Sequence, residues 1–177
     1  QHALNAGYRH IDTAKIYRNE QDVGRAIRDS LVPREDFFIT TKLWNADQGY
    51  HSTLKACDES LEKMEMEYID LYLMHWPVEK LRLESWKAME ELLDSGKCRS
   101  IGVSNFMDSH ISEMLENCNV VPAVNQIELS PYNYQQRTDT INICRDNNIV
   151  IEAYSPLTKG KKLKDQRLLD IAGKYGK

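Results

Sequence analysis

The chain has 177 residues, 41% of them hydrophobic, with 23 Lys and Arg against 27 Asp and Glu for a formal charge of -4, the profile of an ordinary soluble globular domain and not of a disordered or fibrous chain. There is no basic field for a phosphate backbone, since the densest cationic run, Lys159 to Lys164, is broken by Gly160 and Leu163, so nucleic acid is not an expected partner. No apolar run approaches the ~20 residues of a membrane span, and the first residues do not read as a signal peptide, so a cytoplasmic protein with no membrane partner is expected.

The first strand is predicted over Arg9–Ala14, followed by a helix whose apolar face carries Val23, Ala26 and Ile27. A second strand over Phe37–Leu43 leads to a helix with Leu54, Cys57, Leu61 and Met64 at three- and four-residue steps. A third, Ile69–His75, precedes a helix with Trp86, Met89 and Leu93, which Gly96 ends as a C-terminal cap. After a fourth strand, Ser100–Asn105, Asp108 starts a helix carrying Ile111, Met114, Leu115 and Cys118. The fifth and sixth strands are Ala123–Glu128 and Val150–Ser155, and Leu168, Ile171, Ala172 and Tyr175 form a last amphipathic helix.

Strand and helix alternating at roughly thirty residues imply parallel strands joined by right-handed crossovers. Periodicity does not choose between a closed barrel and an open, doubly wound sheet. No linker rich in Pro, Gly or Ser divides the chain, so one domain over 1–177 is expected. Cys57, Cys98, Cys118 and Cys144 show no Cys-x-x-Cys pair and read as reduced thiols of a packed core.

Buried parallel strands should be almost wholly apolar, yet polar residues recur at their carboxyl ends. Asp12, Lys42, His75, Ser104 with Asn105, Gln126 with Glu128, and Tyr154 with Ser155 each stand at or near the end of a strand. In α/β barrels the active site forms there, from several strands at once. Taken singly, any of these is as readily a cap or a satisfied hydrogen-bonding group, but as a set they describe a site.

Their order is more specific. Gly-Tyr-Arg-His-Ile-Asp-Thr-Ala at 7–14 with Tyr17, Thr-Thr-Lys-Leu-Trp at 40–44 and Leu-Met-His-Trp-Pro at 73–77 are followed by Ile-Gly-Val-Ser-Asn-Phe at 101–106, Asn-Gln-Ile-Glu at 125–128 and Ala-Tyr-Ser-Pro-Leu at 153–157. Through these motifs the whole chain resembles the aldo-keto reductase family. The resemblance implies a (β/α)8 TIM barrel with about six of its eight strands here, and an oxidoreductase that moves hydride from NADPH to a small aldehyde or ketone. It also implies a monomer.

By the same resemblance the catalytic residues are Asp12, Tyr17, Lys42 and His75. Tyr17 would donate the proton, with its phenol acidified by the Lys42 ammonium that Asp12 holds, and His75 would orient the carbonyl. Ser104, Asn105 and Gln126 would grip the nicotinamide carboxamide with mixed donors and acceptors. Tyr154 would stack on the ring, while Ser155 and Leu157 open a loop over the pyrophosphate. Trp44 and Trp76 would wall the substrate cavity, core packing being the competing reading for both. The lysines at 159, 161, 162 and 164 read better as a solvated loop. No Gly-x-Gly-x-x-Gly follows the first strand, which agrees with a cofactor bound across a barrel mouth.

The family pattern also implies a strand before Gln1, a last strand and helix beyond Lys177 and a longer loop after Trp76-Pro77. The domain is therefore expected to be incomplete at both ends, and these residues alone to aggregate or to bind cofactor poorly. The residues that would read the 2′-phosphate fall outside, leaving NADPH the family expectation with NADH open. A rival on the same architecture, a metal-dependent hydrolase using His10, Asp12, His75 and Glu128, lacks any His-x-His or His-Glu-x-x-His, so no metal is expected. A cofactor-holding subunit without chemistry is a third reading, and the presence of all four catalytic residues argues for an enzyme.

Overall fold

A computed structural model describes residues 1–177. Six parallel strands, β1 (His10–Asp12), β2 (Phe38–Leu43), β3 (Leu71–Met74), β4 (Ile101–Ser104), β5 (Val124–Glu128) and β6 (Val150–Tyr154), pair in chain order to form one sheet. A doubly wound sheet reverses strand order at a switch point, and a barrel wall does not. The unbroken order therefore decides what periodicity left open: this is a barrel wall, with β1 and β6 paired on one side only.

All six anticipated strands form, trimmed at their ends. The β1–β2 ladder outlasts the regular strand by one bond, from Thr13 N to the Thr40 carbonyl (2.8 Å). The helices are α1 (His2–Asn5), α2 (Glu20–Asp29), α3 (Tyr50–Met64), α4 (Arg82–Asp94), α5 (Asp108–Asn117), α6 (Thr138–Asp146) and α7 (Gln166–Lys174). α1 is too short to show a period. α6, between β5 and β6, hides Thr140 and Cys144, a buried face too polar to register as an apolar stripe.

Alternation along the strands separates two environments. Outward residues Ile39, Tyr72, Met74, Ile101 and Val103 join Ile27, Cys57, Leu61, Met64, Trp86, Met89, Ile111 and Met114 of the helices in one buried cluster. Each large apolar side chain so buried contributes roughly 1.5–3 kcal/mol. Trp86 is sealed, its indole N–H donating to the Val120 carbonyl (3.0 Å). α2 approaches the end of α3 so closely that a Cβ on Gly24 would lie 2.1 Å from the Met64 carbonyl oxygen. Gly96, at φ 76° just beyond the α4 cap Ser95, supplies the left-handed turn that ends that helix.

The amino ends of β2 to β4 are tied by an ionic clasp. Asp70 is buried and accepts from Arg34 Nη2 (2.6 Å), Arg99 Nη1 (3.4 Å) and Ile39 N (2.9 Å). The two guanidiniums lie over the Tyr68 ring at 4.2 and 3.7 Å from its centre. Cys57, Cys98 and Cys144 are buried, Cys118 is half-buried, and all four are free thiols. No helix is long and apolar enough to cross a membrane.

Candidate active site

The inward alternation leads from Leu71 and Leu73 to polar residues at the carboxyl ends of the strands, where a cleft of about 740 Å³ opens. Asp12, Tyr17, His75, Trp76, Ser104, Asn105, Gln126, Tyr154 and Ser155 all line it. Lys42 lies beneath, 1% exposed. Trp44 and Leu157 are outside the lining: Trp44 packs edge-on against His75 (5.5 Å, 78°), and Leu157 is exposed to solvent. Trp76, 44% exposed, is not a core residue. Lys159, Lys161, Lys162 and Lys164 are exposed.

Lys42 reaches the cleft floor through two bonds, to Asp12 Oδ1 and to the Thr13 carbonyl (2.8 Å). Burial outweighs the Asp12 carboxylate and leaves the Lys42 ammonium below the usual lysine range. Tyr17 closes a short helical turn at Lys15–Tyr17, its N–H donating to the Ala14 carbonyl (2.9 Å). That turn is pinned because Lys15 pairs with Glu59 (2.9 Å) and Asp47 (3.0 Å). The Tyr17 ring centre is 5.4 Å from Lys42 Nζ and 6.0 Å from the His75 ring.

The expected acidification of Tyr17 is not what this arrangement produces. Burial first, then the Asp12 carboxylate and Tyr154, hold the phenol above its ordinary range. The physical reason is that Lys42 spends its charge on Asp12 and Thr13, and it makes no hydrogen bond to the phenol. His75 is pushed down to about 4 by burial and by Lys42, against a smaller opposing pull from Asp12, so its ring is neutral near pH ~7. Its Nδ1 is buried without a partner. An orphaned buried N–H is costlier than an orphaned acceptor, which assigns the proton to Nε2, on the side that faces the cleft.

The amide cluster is also more committed than its residue types suggest. Asn105 adopts φ 62°, a left-handed conformation that asparagine tolerates, and its Nδ2 donates to the His75 carbonyl (3.0 Å) and to Ser104 Oγ (3.1 Å). The Ser104 hydroxyl donates to the Gln126 carbonyl (2.8 Å) and the Tyr154 hydroxyl to Asn105 Oδ1 (2.9 Å). Gln126 Nε2 donates to Asp12 Oδ2 (2.7 Å) and Glu152 Oε2 (2.6 Å). Carboxylates only accept, so the amide cannot turn over, and Gln126 Oε1 is left unbonded toward the cleft. Where mixed donors and acceptors were expected, the donors are spent internally and acceptors remain.

Four further residues complete the lining, Tyr8, His10, Glu152 and Ala153, and two of them, Glu152 and His10, are ionisable groups outside the expected site. Glu152 stands in mid-strand, and His10 Nε2 is 3.3 Å from Thr40 Oγ1 and 3.6 Å from Glu152 Oε1. A carboxylate two residues before Tyr154, on the same strand face, was the available signal. No three His, Cys, Asp or Glu side chains group as metal ligands.

The model of the Aldo/keto reductase family matches residues 1–175. A 9,11-endoperoxide prostaglandin H2 reductase of Trypanosoma cruzi is 51% identical over 99% of this chain, and a glyoxal reductase of Bacillus subtilis is 46% identical over 99%. The chain spans 62% and 63% of those two proteins. Among solved structures, an aldo/keto reductase from Brucella melitensis superposes with a TM-score of 0.92 at 49% identity, covering 99% of this chain and 67% of that one. A Bombyx mori aldo-keto reductase in complex with NADP gives 0.87 at 38% identity, covering 99% and 64%. The six-stranded wall is thus part of a (β/α)8 barrel, and from its first residue to its 175th the chain belongs to the aldo/keto reductase family.

Proposed function

We propose that this chain carries the catalytic floor of an NADPH-dependent reductase of small aldehydes and ketones, with Tyr17 as proton donor. One observation supports this above the others: Asp12, Lys42, Tyr17 and His75, from three strands and a loop, converge on one cleft, with Tyr17 within 6.0 Å of His75 and 5.4 Å of Lys42. A phenol held above its ordinary range keeps its proton at neutral pH and can still give it to an alkoxide, a stronger base than phenolate. Neutral His75, with its proton on Nε2, donates to a carbonyl oxygen and fixes its direction. Lys42 and Asp12 hold a compensated charge pair under the phenol.

A nicotinamide fits this floor. Gln126 Oε1 is an open acceptor for a carboxamide N–H, Asn105 and Ser104 retain lone pairs beside it, and the Tyr154 ring is fixed by its bond to Asn105. When bound, NADPH would supply the hydride; Trp76 and Tyr8 would favour substrates with an apolar body. Preference for NADPH over NADH rests on the family and on the relative solved with NADP.

The test is oxidation of NADPH with a panel of aldehydes and ketones, for the parent and Tyr17→Phe. The variant should lose about 10²–10⁴-fold in kcat while binding NADPH as before. Turnover by Tyr17→Phe at the parent rate would remove Tyr17 from the role.

A further inference from the structure

We propose that Glu152 sets the balance between the two oxidation states of the nicotinamide at this site, its carboxylate favouring the oxidised ring. The inference rests on the cofactor reading above. Oxidised and reduced nicotinamide differ by one positive charge on the ring, so the sign of the surrounding field discriminates between them.

The charges on the cleft floor do not cancel. Lys42 is matched by Asp12, and His75 is neutral. Glu152 has no Lys or Arg within ion-pairing distance; the His10 ring stands at 3.6 Å, and Lys42, already hydrogen-bonded to Asp12, acts on it only through space. Glu152 and Tyr154, two apart on β6, present to the same face, which puts the carboxylate one layer below the ring expected to stack on the nicotinamide. Gln126 Nε2 bridges Glu152 to Asp12, so the carboxylate is fixed in place. The groups left open above it, Gln126 Oε1 and the second lone pair of Asn105 Oδ1, are negative ends of dipoles. Within the Gln126–Asn105 amide cluster beside Glu152, every unspent partial charge is of one sign, and it suits a cation.

The dissociation constants of NADP+ and NADPH, measured by quenching of tryptophan fluorescence on the full-length chain at about pH 8, away from the range in which imidazoles titrate, give the test. Glu152→Gln keeps an acceptor for Gln126 and removes the charge. It should raise the ratio of the NADP+ constant to the NADPH constant about tenfold, an effect of about 1.4 kcal/mol, while Glu152→Asp keeps the parent ratio. His10→Lys, which sets a fixed cation beside Glu152, should move the ratio in the same direction and stands as an independent arm if Glu152→Gln does not fold. Equal weakening of both forms, or an unchanged ratio, would mean that Glu152 is only a structural support and would overturn the proposal. A parent that binds neither dinucleotide would instead overturn the cofactor reading.

Discussion

His75 provides a quantitative test of how dry the cleft floor is. With His75 only 9% exposed and Lys42 nearby, the imidazole falls from 6.5 to about 4. A folded state that resists protonation is stabilised fully above the unfolded value of 6.5. As pH falls, the unfolded chain takes up a proton that the folded chain refuses, so stability is lost progressively down to about 4 and is level below that. At about 1.36 kcal/mol per unit of pKa, the loss from this one residue is about 3 kcal/mol. Urea denaturation from about pH 8 to about pH 4 should show the parent losing that much more stability than His75→Gln, in which the titrating ring is gone. The ring resonances of His75 in an NMR titration should stay in the neutral form through about pH 5. A midpoint near 6.5, or a difference between parent and variant that does not change with pH, would refute the argument that burial and Lys42 control this ring.

Two further substitutions probe the frame around it. Asp12→Asn leaves the Lys42 ammonium buried without a counter-charge, with neutral acceptors only. Breaking a buried pair costs roughly 3–5 kcal/mol, and because the Asp12 side chain is 36% exposed the expected cost is about 1–3 kcal/mol. The double variant Asp12→Asn/Lys42→Met should recover part of it in thermal melts, and full stability of the single variant would count against the pair. Gly24→Ala sets two effects against each other: about 1 kcal/mol gained in helix propensity, and a Cβ 2.1 Å from a backbone oxygen. Relieving that contact needs a displacement of about 1 Å between two packed helices, an overpacking cost of about 1–3 kcal/mol or more. Tm should fall by a few degrees, at about 2–4 °C per kcal/mol for a chain of this size, and a rise would show that α2 is free to move.

The outer shell of the fold was legible because buried strands and one-sided helices each impose a period on the residue types. What periodicity could not decide was closure, since barrel and doubly wound sheets use the same strand-helix-strand unit; only the order β1 to β6 separates them. α6 escaped because its hidden face, Thr140 and Cys144, is half polar. The convergence of the candidate site was readable from position: nine of the residues named for it line one cleft. Their electrostatics were not. Proximity of Lys42 to Tyr17 suggested an acidified phenol, but which groups spend a charge depends on bonds such as Lys42 to Asp12 and Thr13, which no one-dimensional pattern contains. The same holds for Asn105, whose amide protons are used up by His75 and Ser104, and for Trp44, turned against His75 and away from the opening.

The Arg34–Asp70–Arg99 clasp stands at the opposite end of the strands from every residue assigned to chemistry. Perturbations that share no partner and lie well apart add almost independently. Segments such as the short one after Trp76 can therefore be exchanged or lengthened while this anchorage stays intact, so that a new substrate range need not be purchased with a weaker scaffold.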